Sequence, residues 1–150
     1  MLETQAMTAA ISEAMNLLEE IGAKSFDQAT ATDTTATQGG KGKNKSGGPP
    51  PWAQGTGKKP SDFTPPGLLG KETGEQYPKF NDIDDFNSLS IQKANPLLVD
   101  SLRLGVKVVY VNPANAEQQA TVQTTAKKVQ VSVFTTGMQD TLKLVRVFYQ

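Results

Sequence analysis

The chain contains no cysteine and no histidine. The first absence excludes disulfides, thiol nucleophiles and thiolate metal sites. The second removes the usual general base near neutral pH and the commonest metal ligand. Catalysis would have to rest on carboxylates or lysines, so the prior for an enzyme falls. No run of eighteen apolar residues occurs, so no stretch reads as a membrane-spanning helix, and no signal peptide is visible. Charge of one sign is also lacking. Fifteen basic side chains balance fifteen acidic ones, and the net charge points to no particular partner.

What is present is unevenly spread. Ten of the thirteen glycines and seven of the nine prolines fall between Gln28 and Lys79. At 150 residues the chain reads as one domain, 1–150. Its three parts are a spine helix over 1–27, a variable Gly/Pro/Lys-rich loop over 28–79, and an acidic turn followed by an antiparallel sheet over 80–150. The first part organises the rest. Met7, Ile11, Ala14, Leu18 and Ile21 recur in steps of four and three, which sets them on one stripe of a helix running from Leu2 toward Phe26. Gly22 costs about 1 kcal/mol relative to alanine inside a helix, so fraying is expected there.

The middle part is linker chemistry, GGKGKNKSGGPPP and its neighbours. A structureless connection of that length is unusual. The expectation is a long loop draped over one face and pinned by Trp52, Phe63, Leu68 and Leu69. Beyond it, Leu102, Leu104, Val106, Val108 and Tyr110 alternate with polar or small residues, a half-buried strand. Asn112-Pro113 marks a turn. Val129, Val131 and Val133 alternate in a second strand, TTGMQD makes a connection, and TLKLVRVFYQ closes the chain as a third. The last strand has apolar residues on both sides, as expected of a strand covered twice or touching another chain. The fold class is α+β: a long N-terminal helix packed on a three- to four-stranded antiparallel sheet, each covering the other's apolar side.

Three motifs invite chemistry. GGKGKNKSGG has the glycines and lysines of a phosphate loop, but Asn44 precedes Lys45-Ser46 where a Gly-Lys-Ser/Thr order is required, and no strand or helix flanks it. The same loop carries Lys41, Lys43, Lys45, Lys58 and Lys59 around Trp52, a candidate anion-binding surface for a polymer such as DNA; a solvated loop explains them better, since a single aromatic is a thin stacking platform. Asn81, Asp82, Asp84, Asp85 and Asn87 crowd hard oxygen donors, and Asp82, Asp84, Asp85 and Asn87 are the candidate calcium ligands. An EF-hand is excluded by the missing glycine and terminal glutamate, and a polar turn bonding its own backbone is the plain alternative. Paired carboxylates also suit glycoside hydrolysis, but no sugar-binding aromatic cleft accompanies them.

Several stretches together resemble type IV pilin-like proteins and pseudopilins, in particular minor pilins of the mannose-sensitive haemagglutinin pilus type. AISEAMNLLEEIGAKSFD resembles the later part of their spine helix, in Leu17-Leu18-Glu19-Glu20-Ile21 and Phe26-Asp27. KFNDIDDFNSLS resembles the acidic stretch after their variable loop, with Asn81 where an aspartate is usual. VKVVYV, TAKKVQVSV and DTLKLVRVFY resemble their strands, including the step Lys127-Lys128-Val129. The middle loop has no counterpart, and the apolar N-terminal half of the family's helix is lacking. The resemblance implies a non-enzymatic filament subunit; no cofactor is expected beyond the candidate calcium read from the acidic residues. Its partners would be other pilin-like subunits. It would be extracytoplasmic, anchored in the inner membrane through an upstream segment before assembly and then part of a periplasmic or cell-surface filament serving adhesion or secretion. Leu2, Met7 and Ile11 would form the subunit interface. The alternative function is a binding module that uses the lysine-rich loop.

Overall fold

Strand β2, Leu102–Asn112, is the hub of the sheet. Its even-numbered residues Leu102, Leu104, Val106, Val108 and Tyr110 are all buried, as period-two patterning requires. The computed structural model describes residues 2–27, 59–95, 98, 101–136 and 138–150, with the side chain of Leu2 excepted. Around β2 lie β1 (Ser90–Lys93), β3 (Asn115–Gln119), β4 (Ala126–Phe134) and β5 (Leu142–Tyr149). The order is β1-β2-β4-β5, with β3 paired to the far end of β2, and every pairing is antiparallel. Val108 lies opposite Val129, and Val131 opposite Leu144.

The sheet therefore has five strands rather than the three or four expected. The Asn-Pro turn is where expected, but NAEQQ after it returns as β3, through a register shift between Val111 and Asn112. That segment buries no residue fully, so it carries none of the alternation by which a strand is read from sequence.

Helix α1 covers Leu2–Gly22 and packs on β4 and β5. It ends at the glycine rather than continuing to residue 27. A side chain at Gly22 would meet the Phe148 ring at 3.0 Å, so the glycine lets the helix end approach β5. The chain then leaves the helix, and Ser25 forms a bridge beside Asp82: Ser25 N–H donates to Asn81 O (3.3 Å) and Ile83 N–H to Ser25 O (3.0 Å).

The buried face of α1 keeps Ala14, Leu18 and Ile21 of the expected stripe but not Met7 and Ile11. Ala6, Ala9, Ala10, Ala14, Leu17, Leu18 and Ile21 face the sheet, whereas Met7 and Ile11 are each 38 % exposed. Small residues in the first half of the helix let its axis lie close to the sheet. Among the described residues no helix is long and apolar enough to cross a membrane.

Before the sheet, the described part of the loop begins at Lys59. Phe63 pins it, edge-on to Phe26 with ring centroids 5.5 Å apart. Leu69 is half-buried against the core, but Leu68 is 71 % exposed and pins nothing. Trp52 lies outside the described residues.

Candidate functional site

The acidic turn is held where α1's exit, the loop and the sheet meet. Phe80, Phe86 and Tyr77 pack edge-to-face around it. A short 3-10 turn over Asp84–Phe86 buries Asp84, Asp85 and Phe86. The turn caps itself. Asp82 Oδ1 accepts the Asp85 N–H (3.2 Å), and Asp85 Oδ2 accepts the N–H groups of Asn81 (2.9 Å) and Asp82 (3.2 Å). Short acidic side chains that bond their own backbone favour this kind of turn.

Asp84 points the other way, to Lys127 on β4. Lys127 is fully buried. Its Nζ lies 2.5 Å from Asp84 Oδ1 and 3.0 Å from Asp27 Oδ2, and donates to Phe26 O at 2.7 Å. The Phe26 and Tyr110 rings flank it at 4.4 and 5.0 Å, a cation-π arrangement made stronger by desolvation. Asp27 Oδ2 also accepts the Thr64 N–H (2.9 Å), and Tyr110 donates to Thr64 O (2.9 Å) while lying 3.3 Å from Asp27 Oδ2. One lysine thus joins β4, the end of the helix segment, the loop and the acidic turn.

Sequence reasoning missed Lys127 as a structural centre. The signal was its parity: it shares the buried register of Val129, Val131 and Val133.

On the opposite side of the acidic turn, Glu72 approaches Asp82 and Asp85. A carboxylate oxygen from each of the three lies within 4.8 Å of the others. Glu72 is placed by a tight turn in which Glu75 N–H donates to Glu72 O (3.1 Å) and Gly74 takes φ +93°. Only glycine adopts such a backbone freely.

Burial, followed by Glu75 and Asp85, pushes the Glu72 carboxyl up to about 8. Burial and Asp85 raise Asp82 to about 6. Burial raises Asp84 to about 7 against the opposing pull of Lys127. The cause common to all three is carboxylate placed away from water beside more carboxylate.

The expected calcium ligands therefore divide. Asp82 and Asp85 converge, but Asp84 is turned to Lys127. Asn87 is spent on the backbone: its Oδ1 accepts the Val108 N–H (2.9 Å) and its Nδ2 donates to Leu69 O (3.0 Å). Glu72 takes their place. No local pattern announced it, because it lies ten residues upstream in a stretch that reads as linker.

A groove of about 690 Å³ reaches the cluster. Its lining includes Tyr77, Phe80, Asp85, Asn87 and Ile91. Of the three aspartates, Asp85 alone lines it, so the acidic turn does not present this groove with the carboxylate pair that glycoside hydrolysis would need. Lys59 is exposed. Lys41, Lys43, Lys45 and Lys58 lie outside the described residues.

Comparison with protein-family models, with curated proteins and with solved structures returned no match.

Proposed function

We propose that the chain is a structural subunit of a type IV pilus-like or pseudopilus filament, non-enzymatic, working outside the cytoplasm in assembly, adhesion or secretion. The observation that carries this reading is the division of residues on α1. Alanines face the sheet, while Met7, Ile11 and Met15 stand outside at 38, 38 and 55 % exposure. Residues four apart share one side of a helix, so the three form an apolar stripe along it. A helix serving only its own domain would turn its large apolar residues inward. This one buries Leu17, Leu18 and Ile21 but leaves Met7, Ile11 and Met15 for a neighbour. Contacts between unlike surfaces of identical subunits build open filaments, and a stripe on the outer side of a helix suits that geometry. The sequence resemblance points the same way.

Cysteine scanning tests the proposal, because the chain has no thiol of its own. In cells that produce the full-length protein, Met7→Cys and Ile11→Cys should cross-link into multimers with a bismaleimide, whereas Glu117→Cys on β3 should not. Ile11→Glu should abolish incorporation without lowering the melting temperature of the isolated chain. Normal incorporation of Ile11→Glu, together with monomeric Met7→Cys and Ile11→Cys, would reject the reading.

A further inference from the structure

We propose that Glu72, Asp82 and Asp85 form a calcium site that clamps the loop turn at 72–75 to the acidic turn at 82–86. The three oxygens lie within 4.8 Å of one another, a spread bridged by a cation that holds oxygen at about 2.3–2.6 Å.

A second observation separates this cluster from an ordinary acidic patch. Asp82 is 0 % and Asp85 1 % exposed. In each, one carboxylate oxygen is taken by backbone N–H groups. The other, Asp82 Oδ2 and Asp85 Oδ1, has no hydrogen-bond donor among the described residues, and neither does Glu72 Oε2. Glu72 nevertheless comes within 4.8 Å of Asp85, and when both are ionised two carboxylates have only acceptors to offer each other. Buried acceptors without donors are costly, and converging like charges add to the cost. The only buried cation among the described residues, Lys127, is engaged by Asp27 and Asp84.

A cation held among the three carboxylates supplies the positive charge that the described residues do not bring to them. Carboxylate oxygens select a hard ion, and no histidine or cysteine exists to favour a softer one. Calcium tolerates an irregular shell drawn from two turns, whereas magnesium demands near-ideal octahedral geometry at about 2.0–2.1 Å. The groove at Asp85 gives the ion a route in and gives water room to complete the shell. The proposal does not depend on the filament reading, since its test uses the chain in isolation.

The chain is freed of metal with a chelator and titrated with calcium chloride by calorimetry and thermal melting. One calcium should bind per chain and raise the melting temperature. Loss of even a supporting hydrogen bond costs roughly 10–100-fold in metal affinity, so Glu72→Gln should weaken calcium at least that much. Without calcium, Glu72→Gln should melt no lower than the wild type, because it relieves repulsion and breaks no hydrogen bond of Oε2. Asp85→Asn should weaken calcium likewise.

Terbium luminescence excited through Tyr77, which shares the groove with Asp85, should appear on the unmutated chain and vanish as calcium is added. That measurement needs no variant. The proposal is overturned by the absence of calcium heat and melting shift, by wild-type calcium affinity in Glu72→Gln, or by magnesium acting as strongly as calcium at equal concentration.

Discussion

Lys127 Nζ lies 3.0 Å from Asp27 Oδ2, with both side chains closed off from solvent. The pair ties strand β4 to the chain leaving α1, 100 residues away. Removing one partner of a buried ion pair strands the other and costs roughly 3–5 kcal/mol. Lys127→Met strands both Asp27 and Asp84, so urea unfolding should report a loss of at least about 3 kcal/mol, a large part of a domain's stability. In the double variant Lys127→Met/Asp27→Asn the loss should be smaller than the sum of the single losses, because the two act as a unit. A single-variant loss under about 1 kcal/mol, the range of an exposed pair, would show that the lysine is not the anchor.

How much of this was legible depended on whether burial followed a local period. β2 and β4 were readable because Leu102 to Tyr110 and Val129 to Val133 alternate cleanly. The two-sided look of β5 has a simple origin. Leu142, Leu144 and Phe148 pack toward the core, while Val145 and Tyr149 stay exposed on the outer face. The helix was readable as a helix, and its facing only in part: Ala14, Leu18 and Ile21 are buried as the stripe required, whereas Met7 and Ile11 are not. Met7 and Ile11 outweigh alanine in any apolar pattern, and the close approach of α1 to the sheet selects for size instead. Of the candidate cation cluster, Asp82 and Asp85 were visible as a dense run, whereas Glu72 joins them only through a tertiary contact.

The facing of α1 predicts opposite responses at adjacent positions. Ala10 and Ala14 are fully buried against the sheet, and adding methylenes to a packed contact costs roughly 1–3 kcal/mol. Ala10→Leu and Ala14→Leu should each fall in that range in urea unfolding. Ile11→Ala and Met7→Ala remove side chains that touch less of the domain, and should stay within about 0.5 kcal/mol. The reverse ranking would mean that the stripe through Met7 and Ile11 faces the sheet after all.

Tyr110 predicts the alkaline behaviour. Burial, then Asp84 and Asp27, raise its pKa above the ordinary tyrosine value of 10.0. The folded chain therefore holds that proton after the unfolded chain has released it. The associated stability is complete below pH about 10 and is lost as pH rises from there toward the folded value. Urea midpoints measured from pH 8 upward should fall more steeply above pH 10 in the wild type than in Tyr110→Phe. A residual slope remains from Tyr77, raised by burial and by its bond to Glu20. At neutral pH, Tyr110→Phe should cost about 0.5–1.5 kcal/mol for the bond to Thr64 O. Parallel alkaline profiles in the two proteins would show that the phenol is not shielded.

Asn87 separates a backbone role from a metal role. Along β2, Ser88 N–H donates to Val106 O, Val106 N–H to Leu89 O, and Val108 N–H to Asn87 Oδ1. The side-chain amide thus stands in for a strand residue at one rung, while its Nδ2 holds Leu69 O of the loop. Asn87→Ala leaves two backbone groups unmatched, each worth roughly 1–3 kcal/mol when buried, and both are only partly buried here. The expected loss is therefore about 2 kcal/mol, with faster hydrogen exchange at the Val108 amide than at Val129 across the ladder. Asn87→Asp keeps the acceptor but loses the donor to Leu69, and should recover part of that loss. Neither substitution should change calcium affinity, because both hydrogen-bonding atoms of the amide face protein backbone. If Asn87→Ala weakened calcium as strongly as Glu72→Gln while Val108 stayed protected, the amide would belong with the ligands and the rung would be dispensable.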